Sequence, residues 1–127
     1  MAYPRIPPPK VDLWELVARL RAGDSSAVGP CVDFVCTETR GYWHNRGRAA
    51  MCRRFKHVPL DPDDAARLVA AILPRLREGS IPQQFRDQLG LAILLDPDEA
   101  RAVARAAATD EREYVRRFAA WVLISKR

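Results

Sequence analysis

The sequence predicts an all-α protein assembled from short antiparallel helix hairpins, six or seven helices in total. Three observations carry that prediction. Leu60-Asp-Pro-Asp-Asp-Ala65 recurs as Leu95-Asp-Pro-Asp-Glu-Ala100, an offset of 35 residues. Each copy is a strong helix start, with Asp61 or Asp96 at N-cap, proline at N1 and two acids facing the helix dipole. Phe85, Leu89, Gly90, Ile93 and Leu94 then match Tyr114, Phe118, Ala119, Val122 and Leu123 at a second offset of 29. Apolar residues elsewhere recur three and four positions apart, the spacing of one helix face.

Residues 1–10 hold four of the ten prolines and read as an extended, polyproline-type arm ahead of one helical domain over 11–127. The first helix is expected from Asp12, where Asp12-Leu-Trp-Glu15 has the form of a capping box. Leu13, Leu16, Val17 and Leu20 make its buried face, and Gly23 its stop. Residues 24–29 read as loop. Pro30 suits the first turn of a second helix that carries Cys31, Val32, Val35 and Cys36 and ends before Gly41.

A third helix is expected from Trp43 to His57. Trp43, Gly47, Ala50, Met51, Phe55 and Val58 share its apolar side, and Arg46, Arg53, Lys56 and His57 the opposite one. Arg48 falls at the border. Arg54 projects into the apolar arc, where a guanidinium needs a carboxylate or carbonyl partner.

The repeated Asp-Pro starts lead into two alanine-rich amphipathic helices. The first buries Ala65, Leu68, Val69, Ile72 and Leu73, and Pro74 is expected to end or kink it. The second buries Ala100, Val103, Ala104 and Ala107. Ser80-Ile-Pro-Gln83 and Asp110-Glu-Arg-Glu113 read as capping boxes for the partner helix of each unit.

Asp110 ahead of Val115-Arg116, followed by Ala119-Ala120-Trp121-Val122-Leu123, resembles the second half of a HEAT-like repeat. The resemblance covers roughly residues 60–127, with the third helix as a possible earlier second helix. It implies a binding scaffold and carries over no catalytic residue. A short HEAT-like solenoid and a compact bundle that uses the same hairpin both satisfy the pattern.

Charge points to a partner. The chain carries a net +5, and between Cys36 and His57 stand Arg40, Arg46, Arg48, Arg53, Arg54 and Lys56 against the single acid Glu38. That segment holds the whole imbalance, the footprint of a surface for a polyanion or an acidic protein. Tyr42 and Trp43 lie within it, and aromatic faces beside cations suit unpaired bases. The expected contact set is therefore Arg40, Tyr42, Trp43, Arg46, Arg48, Arg53, Lys56 and His57. The bland alternative is a solvated helix face whose arginines meet Asp61, Asp63 and Asp64, with Trp43 in the core.

Other chemistries find little support. Cys31, Cys36, Cys52, His44 and His57 cluster in sequence, but Cys31 and Cys36 diverge on a helix, unlike the close cysteine pair of a zinc loop. Cys52 and His57 point in different directions, and Cys52 and His44 stand about two turns apart, poor geometry for a nucleophile and base. There is no glycine-rich phosphate loop and no His-Glu-x-x-His. The expectation is no enzyme, no cofactor and no metal. No apolar run reaches the roughly 18 residues of a membrane span, and the opening residues lack the apolar core of a secretory signal. Cytoplasmic residence with reduced thiols is the resulting expectation. The alternative function is a protein–protein adaptor or scaffold subunit of a larger assembly, docking through the apolar last helix and the basic patch on an acidic partner.

Overall fold

The computed structural model describes residues 10–125, with side chains from residue 12 onward. Among these the chain forms seven α-helices: α1 (Lys10–Arg21), α2 (Val28–Cys36), α3 (Tyr42–Phe55), α4 (Pro62–Glu78), α5 (Phe85–Leu95), α6 (Pro97–Ala107) and α7 (Glu113–Ile124). A single 3-10 turn at Ser25–Ala27 joins the first two. The expected proline-rich arm lies outside the described residues, apart from Lys10, which opens α1.

The helices alternate between two layers. α1, α3, α5 and α7 pack side by side in succession, while α2, α4 and α6 form the second row. Successive helices other than α3 and α4 also pack across the layers, most closely α6 on α7 and α4 on α5. This interleaving is compatible with a helical-repeat arrangement. It makes α3 and α5 central helices of their layer.

The repeated starts form as their residues dictate. The Asp61 carboxylate accepts from the Asp64 N–H at 2.8 Å, and Asp96 accepts from the Glu99 N–H at 3.1 Å. α1 closes in a full Schellman motif: Gly23, at φ +83°, donates to the Leu20 carbonyl and Asp24 to that of Arg19.

Several boundaries differ from expectation. α1 begins at Lys10, which places Asp12 inside the first turn, where its charge still favours the dipole. α2 opens at Val28, two residues before Pro30, because Asp24 caps the preceding 3-10 turn through Ser26. Pro74 does not end α4, which runs on to Glu78 and stops at left-handed Gly79. Neither second capping box forms. Ile81 precedes Pro82, a position kept out of helical backbone. α5 therefore starts only after Gln84, itself at φ +62°. Asp110 accepts from the Arg112 N–H at 2.8 Å, closing a turn two residues long, and α7 begins at Glu113 with no side-chain cap.

The core runs unbroken through both layers, from Leu13, Val17 and Leu20 through Met51, Phe55, Leu68 and Ile72 to Leu89, Val103 and Val122. Gly47 lies directly beneath Leu13, so α1 and α3 approach closely. Three polar side chains share this interior: Arg48, Arg75 and Gln88.

Candidate nucleic-acid interface

The basic segment begins in the turn between α2 and α3. Gly41 adopts φ +121° and ψ +156°, backbone that favours glycine, and its carbonyl accepts the Asn45 N–H at 2.9 Å to open α3. Thr39 anchors the turn from within, its hydroxyl 2.8 Å from His44 Nδ1 and in contact with an Arg48 Nη2 donor. Arg40 is left exposed on the outer side of this turn, with no carboxylate in ion-pair distance among the described residues.

The first turn of α3 carries an aromatic corner. Tyr42 and Trp43 meet edge to face at 4.9 Å between centroids, and Trp43 meets Trp14 of α1 at 6.3 Å. Tyr42 is 50% and Trp43 38% exposed, so both keep ring surface in water despite these contacts. Arg46 lies over both rings, 5.4 Å from the Tyr42 centroid and 5.9 Å from that of Trp43. It also donates to the Tyr42 hydroxyl at 2.7 Å. Stacking on aromatic faces holds a guanidinium in place without neutralising it.

Two turns further on, Arg53 and His57 are exposed and Lys56 is half-buried. Arg53 donates to Asp87 of α5 at 2.8 Å, with half of its side chain still in water. Lys56 leans across Gly90 of α5. Between the two groups, Ala49 and Ala50 are buried. The basic side chains thus fall at the two ends of α3, Arg40 and Arg46 at its start and Arg53, Lys56 and His57 at its end, rather than along one continuous ridge.

Arg48 departs most from its expected role. It is 2% exposed, donates to the Thr37 carbonyl at 2.7 Å and lies 4.9 Å over the Phe34 ring. Burial, with the charge of Arg75 adding to it, pulls its pKa down to about 10. Its Nε has no hydrogen-bond partner. Arg48 is therefore a core cation, outside the solvent-facing set. Arg54 is half-buried as its helical position implied, but its buried Nε also lacks the expected partner.

Sequence reasoning missed two arginines. Arg75, 4% exposed, donates to Glu38 from Nε and Nη2, to Gln88 Oε1 at 2.7 Å and to the Val35 carbonyl at 2.8 Å. The signal was available, since Arg75 stands three residues beyond Ile72 and seven beyond Leu68 on the buried face of α4. Arg86, exposed on α5, lies 5.8 Å from the Trp121 ring centroid of α7 and adds a cation to the same layer.

A cleft of about 340 Å³ opens between the 38–42 turn and the 80–83 segment. Arg48 and Arg75 line it together with Arg40, Tyr42 and Asn45. Glu38 is the one acid among its lining residues, and its carboxylate is held by Arg75.

The cysteines and histidines do not converge. The Cys31 thiol donates to the Leu16 carbonyl and that of Cys36 to the Arg67 carbonyl, while Cys52 is wholly buried. Burial pushes Cys31 and Cys52 up to about 12 and raises Cys36, so neutral thiols dominate at neutral pH. Among the described residues no group of three or more His, Cys, Asp or Glu side chains is placed to hold a metal ion, and no helix is long and apolar enough to cross a membrane.

The fold and site together define an all-α protein of two interleaved helical layers with a basic, aromatic-edged flank. Comparison with protein-family models, curated proteins and solved structures returned no match to this chain.

Proposed function

We propose that this chain is a non-enzymatic binding subunit, a short HEAT-like scaffold that contacts the phosphates of nucleic acid through the α3 flank. The observation that carries this reading is Arg46, seated on Tyr42 and Trp43, exposed and with no carboxylate in ion-pair distance among the described residues. Arg40 and Lys56 likewise have no ion pair there, and Arg53 shares only one carboxylate. Cations positioned but not neutralised suit phosphate, and partly open aromatic faces suit unpaired bases. Contacts led by phosphate give weak sequence preference.

The test is charge reversal at Arg46, Arg53 and Lys56 together, with binding to single-stranded and duplex RNA and DNA followed by fluorescence anisotropy. Loss of binding in a variant that melts like the parent supports the reading. Unchanged affinity for every nucleic acid rejects it.

A second reading has its own observation. Leu123 is 37% and Ile124 76% exposed on α7, the outermost helix of its layer, which suits an adaptor that docks on another protein. That reading expects a partner retained at high salt, where phosphate contacts weaken.

A further inference from the structure

The cleft beside the aromatic corner makes the nucleic-acid reading more specific, and its assignment rests on that reading. Its volume of about 340 Å³ lies at the lower end of the range of small-molecule sites, about 300–1,000 Å³. Its charge is uneven. Three arginines line it, and the Glu38 carboxylate is already bonded by Nε and Nη2 of Arg75. Arg48 backs the cleft as a desolvated cation, 2% exposed, with its Nη2 held by the Thr37 carbonyl and the Thr39 hydroxyl. A desolvated cation interacts more strongly with an incoming anion than one in bulk water. Arg40 lines the same cleft, exposed and with no carboxylate in ion-pair distance among the described residues.

The remaining walls suit a nucleoside. Tyr42 belongs both to the cleft and to the exposed aromatic corner, so a ligand bound here would have a ring face beside its charged end. Ile81 and Pro82 form an apolar side, and Asn45 and Gln83 bring amide groups able to meet base or sugar edges.

We propose that this cleft seats a phosphomonoester-bearing nucleotide, with the phosphate on Arg40 in front of Arg48 and Arg75 and the base against Tyr42. That chemistry has two sources, the phosphorylated end of a strand and a free mononucleotide. In the first case the protein holds strand ends, and the α3 flank takes the adjoining phosphates.

Anisotropy of one single-stranded oligonucleotide with a 5′-phosphate, a 3′-phosphate or only hydroxyl ends tests the proposal, with adenosine and uridine monophosphates titrated separately. One phosphorylated end should bind at least about tenfold tighter than the hydroxyl-ended strand. Arg40→Glu and Tyr42→Leu, both at exposed positions, should erase that difference, with melting curves reporting that each variant is folded. Binding of a mononucleotide that both substitutions abolish, without strand binding, keeps the cleft and rejects the strand-binding reading. Equal affinity for phosphorylated and hydroxyl ends, with no mononucleotide bound, overturns the cleft proposal while leaving the basic flank in place. A preference that survives both substitutions also overturns it, and binding of neither ligand removes both.

Discussion

At the scale of single residues, the arginines divide by what surrounds them. Arg75 is 4% exposed, whereas the Glu38 side chain that pairs with it is 67% exposed. Removing the acid strands a cation in the interior, while the acid itself would simply return to water. Glu38→Gln should therefore destabilise the fold by about 1–2 kcal/mol, most of it from the guanidinium left with neutral partners only. Urea melts measure this, and an unchanged midpoint would show that Gln88 and the Val35 carbonyl are partners enough. Acid tests a different pair of residues. The Arg112 side chain and its N–H hold the Asp110 carboxyl down at about 2, and Ser26 and then Arg19 do the same for Asp24. Between that value and the unfolded pKa of about 3.9, the unfolded chain binds more protons. The contribution is thus fully present above the unfolded value and is lost as pH falls towards 2. The Tm gap between the parent and Asp110→Asn should narrow as pH drops from about 5 to 2, and a constant gap would contradict the assignment. The thiols give a third expectation: iodoacetamide at neutral pH should leave Cys31 and Cys52 unmodified until the protein is denatured. Labelling of either in the native state, read by mass spectrometry, would mean that the interior opens there.

At the scale of elements, the paired Asp-Pro starts were read correctly from a single turn, whereas the starts of α1, α5 and α7 were not. Asp61 and Asp96 cap their helices as their spacing implied, because an N-cap needs only the next three residues. Asp96→Ala should cost about 1 kcal/mol in thermal melts. Asp110 carries the same local pattern, yet Arg112 grips its carboxylate and reaches the carbonyls of Arg77 and Glu78 on α4. That anchored arginine holds the Asp110 carboxylate in the two-residue turn in place of a capping box. Pro74 shows the reverse case, a breaker overruled. It lacks the N–H that would bond the Ala70 carbonyl, yet α4 continues because Ile72, Leu73 and Leu76 are all buried. Pro74→Ala should restore that bond and raise stability by about 1–3 kcal/mol. A fall in Tm would instead mean that the proline ring packs better at this position than alanine does.

At the scale of the whole molecule, the layered arrangement decides which cations stay in water. α3 lies between α1 and α5, so its middle is buried and only its two ends offer cations to a ligand. If Arg40, Arg46, Arg53 and Lys56 neutralise about four phosphates of a single strand, the salt slope should be about −3. Affinity would then fall about 50-fold between 50 and 200 mM salt. Reversing Arg46, Arg53 and Lys56 should flatten the slope by about two. A slope near zero in the parent protein would assign the interaction to apolar contacts and favour docking through α7.

The chain's local chemistry was legible before any coordinates. Helix type, the paired Asp-Pro starts, the glycine stop of α1 and the concentration of charge around α3 all depend on residues within a few positions of one another. The fate of each cation was legible only in part. Helical angle placed Arg46 and Arg53 outward and Arg48 at a border, but burial is decided by what packs against the border, and here that is Phe34 with the Thr37–Thr39 turn. The cleft was invisible for the same reason, since its walls come from segments about forty residues apart. Tertiary packing decided the fate of Arg48, which helical angle left at a border, because desolvation of a charge depends on neighbours that are distant in sequence.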